Sequence, residues 1–253
     1  MTGRLKDRVV IVTGAGAGIG RSSARAFARE GAIVVAAGAR SASVEETVRL
    51  IAEDGGTADP VVADVTRPED MDYVVRTTVE RHGALHIAHN NAGVLGTVAP
   101  VGGLDHAAWR HVLDVNLNGM FHSMQPEIAH MRAHGGGVIV NTSSTLGRHV
   151  RRPGLSAYAA SKAAVTALSR TAALDHIRDN VRINVVSPGP TDTRMARWEG
   201  ESEADRAARL AATVPLARMG TTQEVVNAVL WLASDESSFV VGQDLVVDGG
   251  STC

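Results

Sequence analysis

Seven short runs of β-branched and other apolar residues, separated by helical patterns, limit most strongly how this chain can fold. Val9-Val10-Ile11-Val12 is followed by a glycine-rich turn and by a helix expected from about Ile19 to Arg29. Ile33-Val34-Val35 precedes Ser43-Val44-Glu45-Glu46, where a serine with glutamate three places on marks a capping-box helix start. Pro60-Val61-Val62-Ala63 leads to Thr66-Arg67-Pro68-Glu69, a second cap signal with proline in the first turn. Leu85-His86-Ile87-Ala88 and Gly137-Val138-Ile139-Val140 are the fourth and fifth strands, with a long helical stretch between them. Val181-Arg182-Ile183-Asn184-Val185-Val186 and Leu245-Val246-Val247 are the last two.

Strands that are apolar almost throughout are covered on both faces, as in a parallel sheet. Right-handed crossovers then give a doubly wound, Rossmann-like α/β layer structure of about seven strands, with helices on both faces. No linker, repeat or low-complexity block interrupts the 253 residues, so 1–253 is expected to form a single domain. A core of that size buries about 70–75% of the surface of the unfolded chain. The least strand-like stretch, 194–214, is charged and alanine-rich. It reads equally well as a lid over the strand ends and as a surface helix.

The formal net charge is −2, with basic residues spread along the chain, which argues against a nucleic-acid partner. The opening residues are polar, so no secretory leader is expected, and no apolar run is long enough to span a membrane. The single cysteine, Cys253, has no internal partner; a reducing, cytoplasmic location is the expectation. No His/Cys/Asp cluster has metal-ligand spacing. Only Lys6 and Lys162 among the 25 basic residues are lysine, so a lysine here stands where arginine would not serve.

Thr13-Gly14-Ala15-Gly16-Ala17-Gly18-Ile19-Gly20 ends the first strand and opens the first helix. Glycine lets backbone turn tightly and approach phosphate oxygens, and the helix N-terminus adds N–H groups and dipole. The strict G-x-G-x-x-G spacing fails at Ile19; Gly14, Gly18 and Gly20 give G-x-x-x-G-x-G instead. Tyr158 and Lys162, four apart in the helical pattern Ala157 to Leu168, point from one helix face. A free tyrosine titrates near pKa 10, and a nearby ammonium is expected to lower it towards the range useful for proton transfer. A compact ammonium also suits a ribose diol better than a guanidinium fork does. Ser144, at the carboxyl end of the fifth strand, can stabilise charge on a substrate oxygen, with Ser143 as the competing candidate.

These motifs together resemble the short-chain dehydrogenase/reductase family, in its compact branch of about 250 residues, from Asp7 to Gly250. Asp64-Val65, Asn90-Asn91-Ala92-Gly93, Asn116, Ser144, Tyr158-x-x-x-Lys162, Pro188-Gly189-Pro190-Thr191-Asp192-Thr193 and Val247-Asp248-Gly249-Gly250 follow in the family order. The resemblance implies an NAD(P)-dependent oxidoreductase acting on an alcohol or carbonyl, with Asn116, Ser144, Tyr158 and Lys162 as the catalytic set. Tyr158 is the general acid/base, and Asn116 bends its helix and anchors a water that passes protons to the lysine. The expected cofactor contacts are Gly14, Gly16, Gly18, Ile19, Gly20, Arg40, Asp64, Val65, Asn91, Ala92, Gly93, Tyr158, Lys162, Pro188, Gly189, Thr191 and Thr193. Assembly as a homotetramer is a further implication of the family.

The end of the second strand, Ala36-Ala37-Gly38-Ala39-Arg40-Ser41, has no carboxylate for a ribose 2′-OH. NADP(H) is favoured, with Arg40 and Ser41 on the 2′-phosphate; NAD(H) is the alternative. The loop Gly147-Arg148-His149-Val150-Arg151-Arg152-Pro153-Gly154-Leu155 is unusually basic. Arg148, Arg151 or Arg152 meets an anionic substrate in one reading, and the loop is solvated or makes a subunit contact in the other. Met195 and Trp198 either wall the pocket or pack the lid. A catalytically silent nucleotide sensor and an epimerase or dehydratase are the alternatives. The intact catalytic set argues against the first, and the chain's end just past Asp248-Gly249-Gly250 against the second.

Overall fold

The computed structural model describes residues 3–196 and 200–253. Seven parallel strands form one sheet in the order β3-β2-β1-β4-β5-β6-β7. They are β1 (Val9–Thr13), β2 (Ile33–Gly38), β3 (Thr57–Val62), β4 (Ile87–Asn90), β5 (Gly137–Thr142), β6 (Val181–Pro188) and β7 (Asp244–Val247). β1 and β6 are buried along their whole length, as double coverage requires. After β3 the chain crosses back to pair β4 with β1, so the strand order reverses between β1 and β4. The crevice outside the carboxyl ends at that point is where open α/β sheets bind ligands.

Helices α1 (Gly18–Arg29), α2 (Ser41–Glu53) and α3 (Pro68–His82) follow the first three strands. Between β4 and β5 lie α4 (His106–Leu113), a π turn at Asp114–Asn118, and α5 (Gly119–Ala133). A broken turn α6 (Thr145–Arg148) and the long α7 (Ser156–His176) precede β6; α8 (Glu203–Thr213) and α9 (Thr222–Ala233) precede β7. Phe27 of α1, Ile51 of α2 and Val226 and Leu232 of α9 pack one face of the sheet. Met71 of α3, Met131 of α5 and Val165 of α7 pack the other.

Several boundaries depart from the sequence reading. β4 begins two residues after Leu85, because its register is set by the pairing of Ile87 with Val10. β3 begins at Thr57; it is an edge strand, which accommodates Pro60. The capping box expected at Ser43 does not form. α2 starts at Ser41 with Arg40 in the N-cap position, and Ser43 lies inside the first turn. Pro68 does open α3, but Thr66 is held by Asp64 and makes no cap. The segment 194–214 contains a short turn at Arg194–Ala196 and the amphipathic α8, anchored by the buried Leu210. No helix among the described residues is long and apolar enough to cross a membrane.

Candidate active site

Thr13, at the end of β1, joins the two loops at the switch point. Its hydroxyl accepts from the Asn91 N–H at 3.1 Å and the Ala92 N–H at 3.3 Å. Gly14 turns away with φ +65°, so close to this loop that a Cβ would lie 2.9 Å from Ala92 Cα. A side chain at Gly20 would run into the Gly14 carbonyl and the Asn91 amide. Gly16 rests on Ser43, Gly18 faces the Thr193 methyl, and Ile19 packs into the core below. Ala17 caps α1 with extended backbone and no side-chain bond, and the first turn carries no acid. The N–H groups of that turn therefore lack side-chain acceptors, in a cradle only backbone can line. This suits a phosphate-bearing ligand.

The sequence reading missed a brace behind this turn. The Arg21 guanidinium donates to Gly16 O at 2.6 Å, to Ser43 O at 3.3 Å and to Thr47 Oγ1 at 3.0 Å. Thr47 in turn donates to Ala15 O at 2.8 Å. Arginine after the last glycine was the available signal. Arg40 is exposed at the carboxyl end of β2. Asp64 accepts from the Thr66 N–H and hydroxyl at 2.9 Å each, which fixes the loop after β3. Val65 is buried against Gly119.

Across the crevice, α7 presents Tyr158 and Lys162, both buried. Ser144 lies beside the Tyr158 phenol and caps α6 by accepting from the Leu146 N–H at 3.1 Å. Ser143 is committed elsewhere: its hydroxyl donates to Lys162 O at 2.8 Å and meets Thr166 Oγ1 at 2.9 Å. Lys162 Nζ donates to Thr142 O at 2.9 Å and lies 5.9 Å from the centre of the Tyr158 ring. Burial draws the ammonium down to about 8. The expected lowering of Tyr158 by Lys162 is not found: burial raises the phenol, and the neighbouring Ser144 hydroxyl opposes that rise.

Asn116 sits in the π turn, where the helix path breaks, and clamps the loop after β4. Its Oδ1 accepts from the Val94 N–H at 2.8 Å, and its amide donates to Val94 O at 2.9 Å and Ser161 Oγ at 3.0 Å. Gly93 lies between the two groups: a Cβ there would be 3.2 Å from Asn116 Oδ1 and 3.4 Å from Lys162 Nζ. The structure thus brings Asn116, Ser144, Tyr158 and Lys162 together. After β6, the Gly189 N–H donates to Val247 O at 2.9 Å, Thr191 Oγ1 donates to Gly189 O at 3.0 Å, and Thr193 reaches Gly18. This loop, from Pro188 to Thr193, faces the glycine turn.

In the basic loop, Arg151 donates to Arg148 O, and Arg148 and His149 approach Asp244. Arg152 is half-buried near Arg209 and Glu201, which pair on and beside α8. Met195 is exposed, and Trp198 lies outside the described residues. No group of three metal-ligating side chains occurs among the described residues.

A family model described as enoyl-(acyl carrier protein) reductase matches residues 14–252. The chain is 39% identical over 252 residues to a cyclohexanol dehydrogenase of Acinetobacter sp. (strain SE19), covering 100% of this chain and 98% of that one. It is 40% identical over 252 residues to an A-factor type gamma-butyrolactone 1′-reductase (1S-forming) of Streptomyces virginiae, covering 99% and 97%. A crystal structure of a short-chain type dehydrogenase/reductase from Mycobacterium marinum superposes with a TM-score of 0.92 at 34% identity, covering 98% and 97%. With its seven-stranded parallel sheet and full-length matches to dehydrogenases and reductases, this chain belongs to the short-chain dehydrogenase/reductase family of oxidoreductases.

Proposed function

We propose that the protein interconverts a secondary alcohol and its ketone, with NADP(H) as the favoured dinucleotide and NAD(H) as the alternative. The observation that carries this reading is the buried Tyr158 phenol with Ser144 beside it and buried Lys162 one turn along α7, at the carboxyl ends of the strands and across from the glycine cradle. The proposed cofactor contacts are those inferred from the sequence, with the α1 N-terminus taking the phosphates and Arg40 the 2′-phosphate. When bound, the dinucleotide supplies the hydride chemistry.

The chain's own groups hold the substrate and move the proton. Ser144 and Tyr158 hydroxyls grip the substrate oxygen, and Ser144 stabilises the charge that builds on it. The Tyr158 hydroxyl is the proton donor in reduction and, as phenolate, the acceptor in oxidation. Lys162 and Asn116 reload Tyr158, because the ammonium shares its pocket with the asparagine amide beside Gly93. A protonated Lys162, 5.9 Å from the ring centre, favours the ionised over the neutral phenol by its charge.

An uncharged cyclic alcohol or ketone is the substrate class we favour. Val98 and Val101, on the segment after Gly93, and Met195, on the segment after Thr193, expose apolar side chains. The relatives named for cyclohexanol and for a butyrolactone are compatible with this choice. The test pairs calorimetric binding of NADPH and NADH with turnover of cyclohexanol and cyclohexanone. NADPH binding at least about tenfold tighter, or about 1.4 kcal/mol, is expected, together with turnover that Tyr158→Phe abolishes. Tighter NADH binding overturns the cofactor assignment, and full activity in Tyr158→Phe overturns the mechanism.

A further inference from the structure

Asp244 opens β7 with a side chain that is only 4% exposed. Its neighbours come from the two segments that flank the reacting groups. Ser187 Oγ, on β6 just before Pro188, donates to Oδ1 at 2.5 Å. His149 Nε2, on the loop that follows Ser144, is 2.8 Å from Oδ2, and Arg148 Nη1 is 3.9 Å from the same oxygen. A carboxylate taken out of water is tolerated when donors and a cation satisfy it, and these three side chains do so. The three residue types of a hydrolytic triad are present in the wrong order. Asp244 lies between Ser187 and His149, so the histidine cannot take the serine proton.

The loop that carries His149 is tightly folded. Thr145 O accepts from the His149 N–H at 3.2 Å and the Val150 N–H at 2.8 Å, and the Gly147 N–H donates to Val150 O at 2.9 Å. Gly147, with φ +127°, lies against α7; a Cβ there would be 2.6 Å from Ala159 O and 2.9 Å from Ala163 N. Those two residues directly follow Tyr158 and Lys162. Ser144 belongs to the same fold, through its bond from the Leu146 N–H.

We infer that His149 and Asp244 are positioning residues: their contact ties the 145–150 turn to β6 and β7 and so holds Ser144 in register with Tyr158. The inference rests on the oxidoreductase reading for its kinetic consequence, but not for its structural one. The pair acts on the substrate oxygen's seat and leaves the glycine cradle, which lies over β1 and β2, unaffected.

The test compares wild type, His149→Ala and His149→Gln, the glutamine retaining a donor for Asp244. Amide hydrogen exchange in residues 145–155 is expected to accelerate at least tenfold in His149→Ala and to return towards wild type in His149→Gln. KM for the alcohol is expected to rise about tenfold in His149→Ala, with the dinucleotide dissociation constant within twofold and rescue by glutamine. Unchanged exchange in His149→Ala overturns the tie. Accelerated exchange with unchanged KM and kcat overturns the positioning role, as does an equal loss of dinucleotide binding. A wild type that turns over no cyclohexanol overturns the proposed substrate class instead, and the exchange measurement still decides the tie.

Discussion

Lys162 Nζ donates to the carbonyl oxygen of Thr142 at 2.9 Å, so the lysine is anchored to the end of β5 rather than to Tyr158 one helical turn away. The bond leaves the ammonium beside Gly93, across from Asn116, and burial lowers its pKa to about 8.

That lowering has a measurable sign. Between about pH 8 and the usual lysine range the unfolded chain binds the proton and the native chain does not, so stability from this group rises with pH across that window. At pH 7 the native state carries the cost of a buried charge. Lys162→Met is expected to reduce turnover by at least about 10²-fold while raising Tm by roughly 2–4 °C at pH 7. The gain should shrink by pH 9.5. Calorimetric melts at both pH values check this, and a Tm loss that is larger at pH 7 than at pH 9.5 contradicts it.

Glu127 gives the opposite slope. It is fully buried, with Asn90 Nδ2 donating to Oε2 at 2.8 Å, and burial raises its carboxyl to about 8. The native group keeps a proton that the unfolded one loses near 4.5, so its contribution is complete at low pH and is lost as pH rises through about 8. Glu127→Gln should melt with wild type at pH 5 and several degrees above it at pH 8.5. Circular dichroism at the two pH values reads the difference, and a constant offset would show that the carboxyl does not titrate in this window.

Ala17 separates helix stability from ligand binding. It occupies the N-cap of α1 with φ −162° and no side-chain bond. An aspartate there can cap the helix, worth about 1 kcal/mol, but places a negative charge where phosphate would sit. Ala17→Asp is expected to raise Tm by roughly 2–4 °C and to weaken dinucleotide binding at least tenfold. Equal or tighter binding, measured by nicotinamide fluorescence, would remove this helix end from the phosphate site.

Arg40 is tested by a difference. Arg40→Ala is expected to weaken NADPH by about tenfold, or about 1.4 kcal/mol, and to leave NADH within twofold. A parallel loss for both ligands, by calorimetry in one buffer, would place Arg40 away from the 2′-phosphate.

Patterns local to one segment were legible from residues alone. Val9 to Val12, the glycine turn and Pro68 at the start of α3 lie where apolar period and cap chemistry put them. The apolar pattern places β4 two residues early, because His89 and Asn90 have the composition of a loop. They are buried strand residues: His89 Nε2 meets Thr142 Oγ1, and the Asn90 amide donates to Glu127 and Asn141 from other elements. α2 begins before its apparent capping box because Ser43 is packed under Gly16 and held through its carbonyl by Arg21.

The amino-acid order by itself determined the layer architecture, the place of the glycine turn and the helical spacing of Tyr158 and Lys162, since each depends on neighbours within a few residues. Only the tertiary structure decided which serine meets Tyr158, which way Lys162 points and where His149 finds a partner. Ser143 is drawn to Thr166 and leaves Ser144 for the phenol, Lys162 is held by a strand carbonyl, and Asp244 reaches His149 from 95 residues away. Those choices are made by hydrogen bonds and burial across elements, which no local pattern encodes.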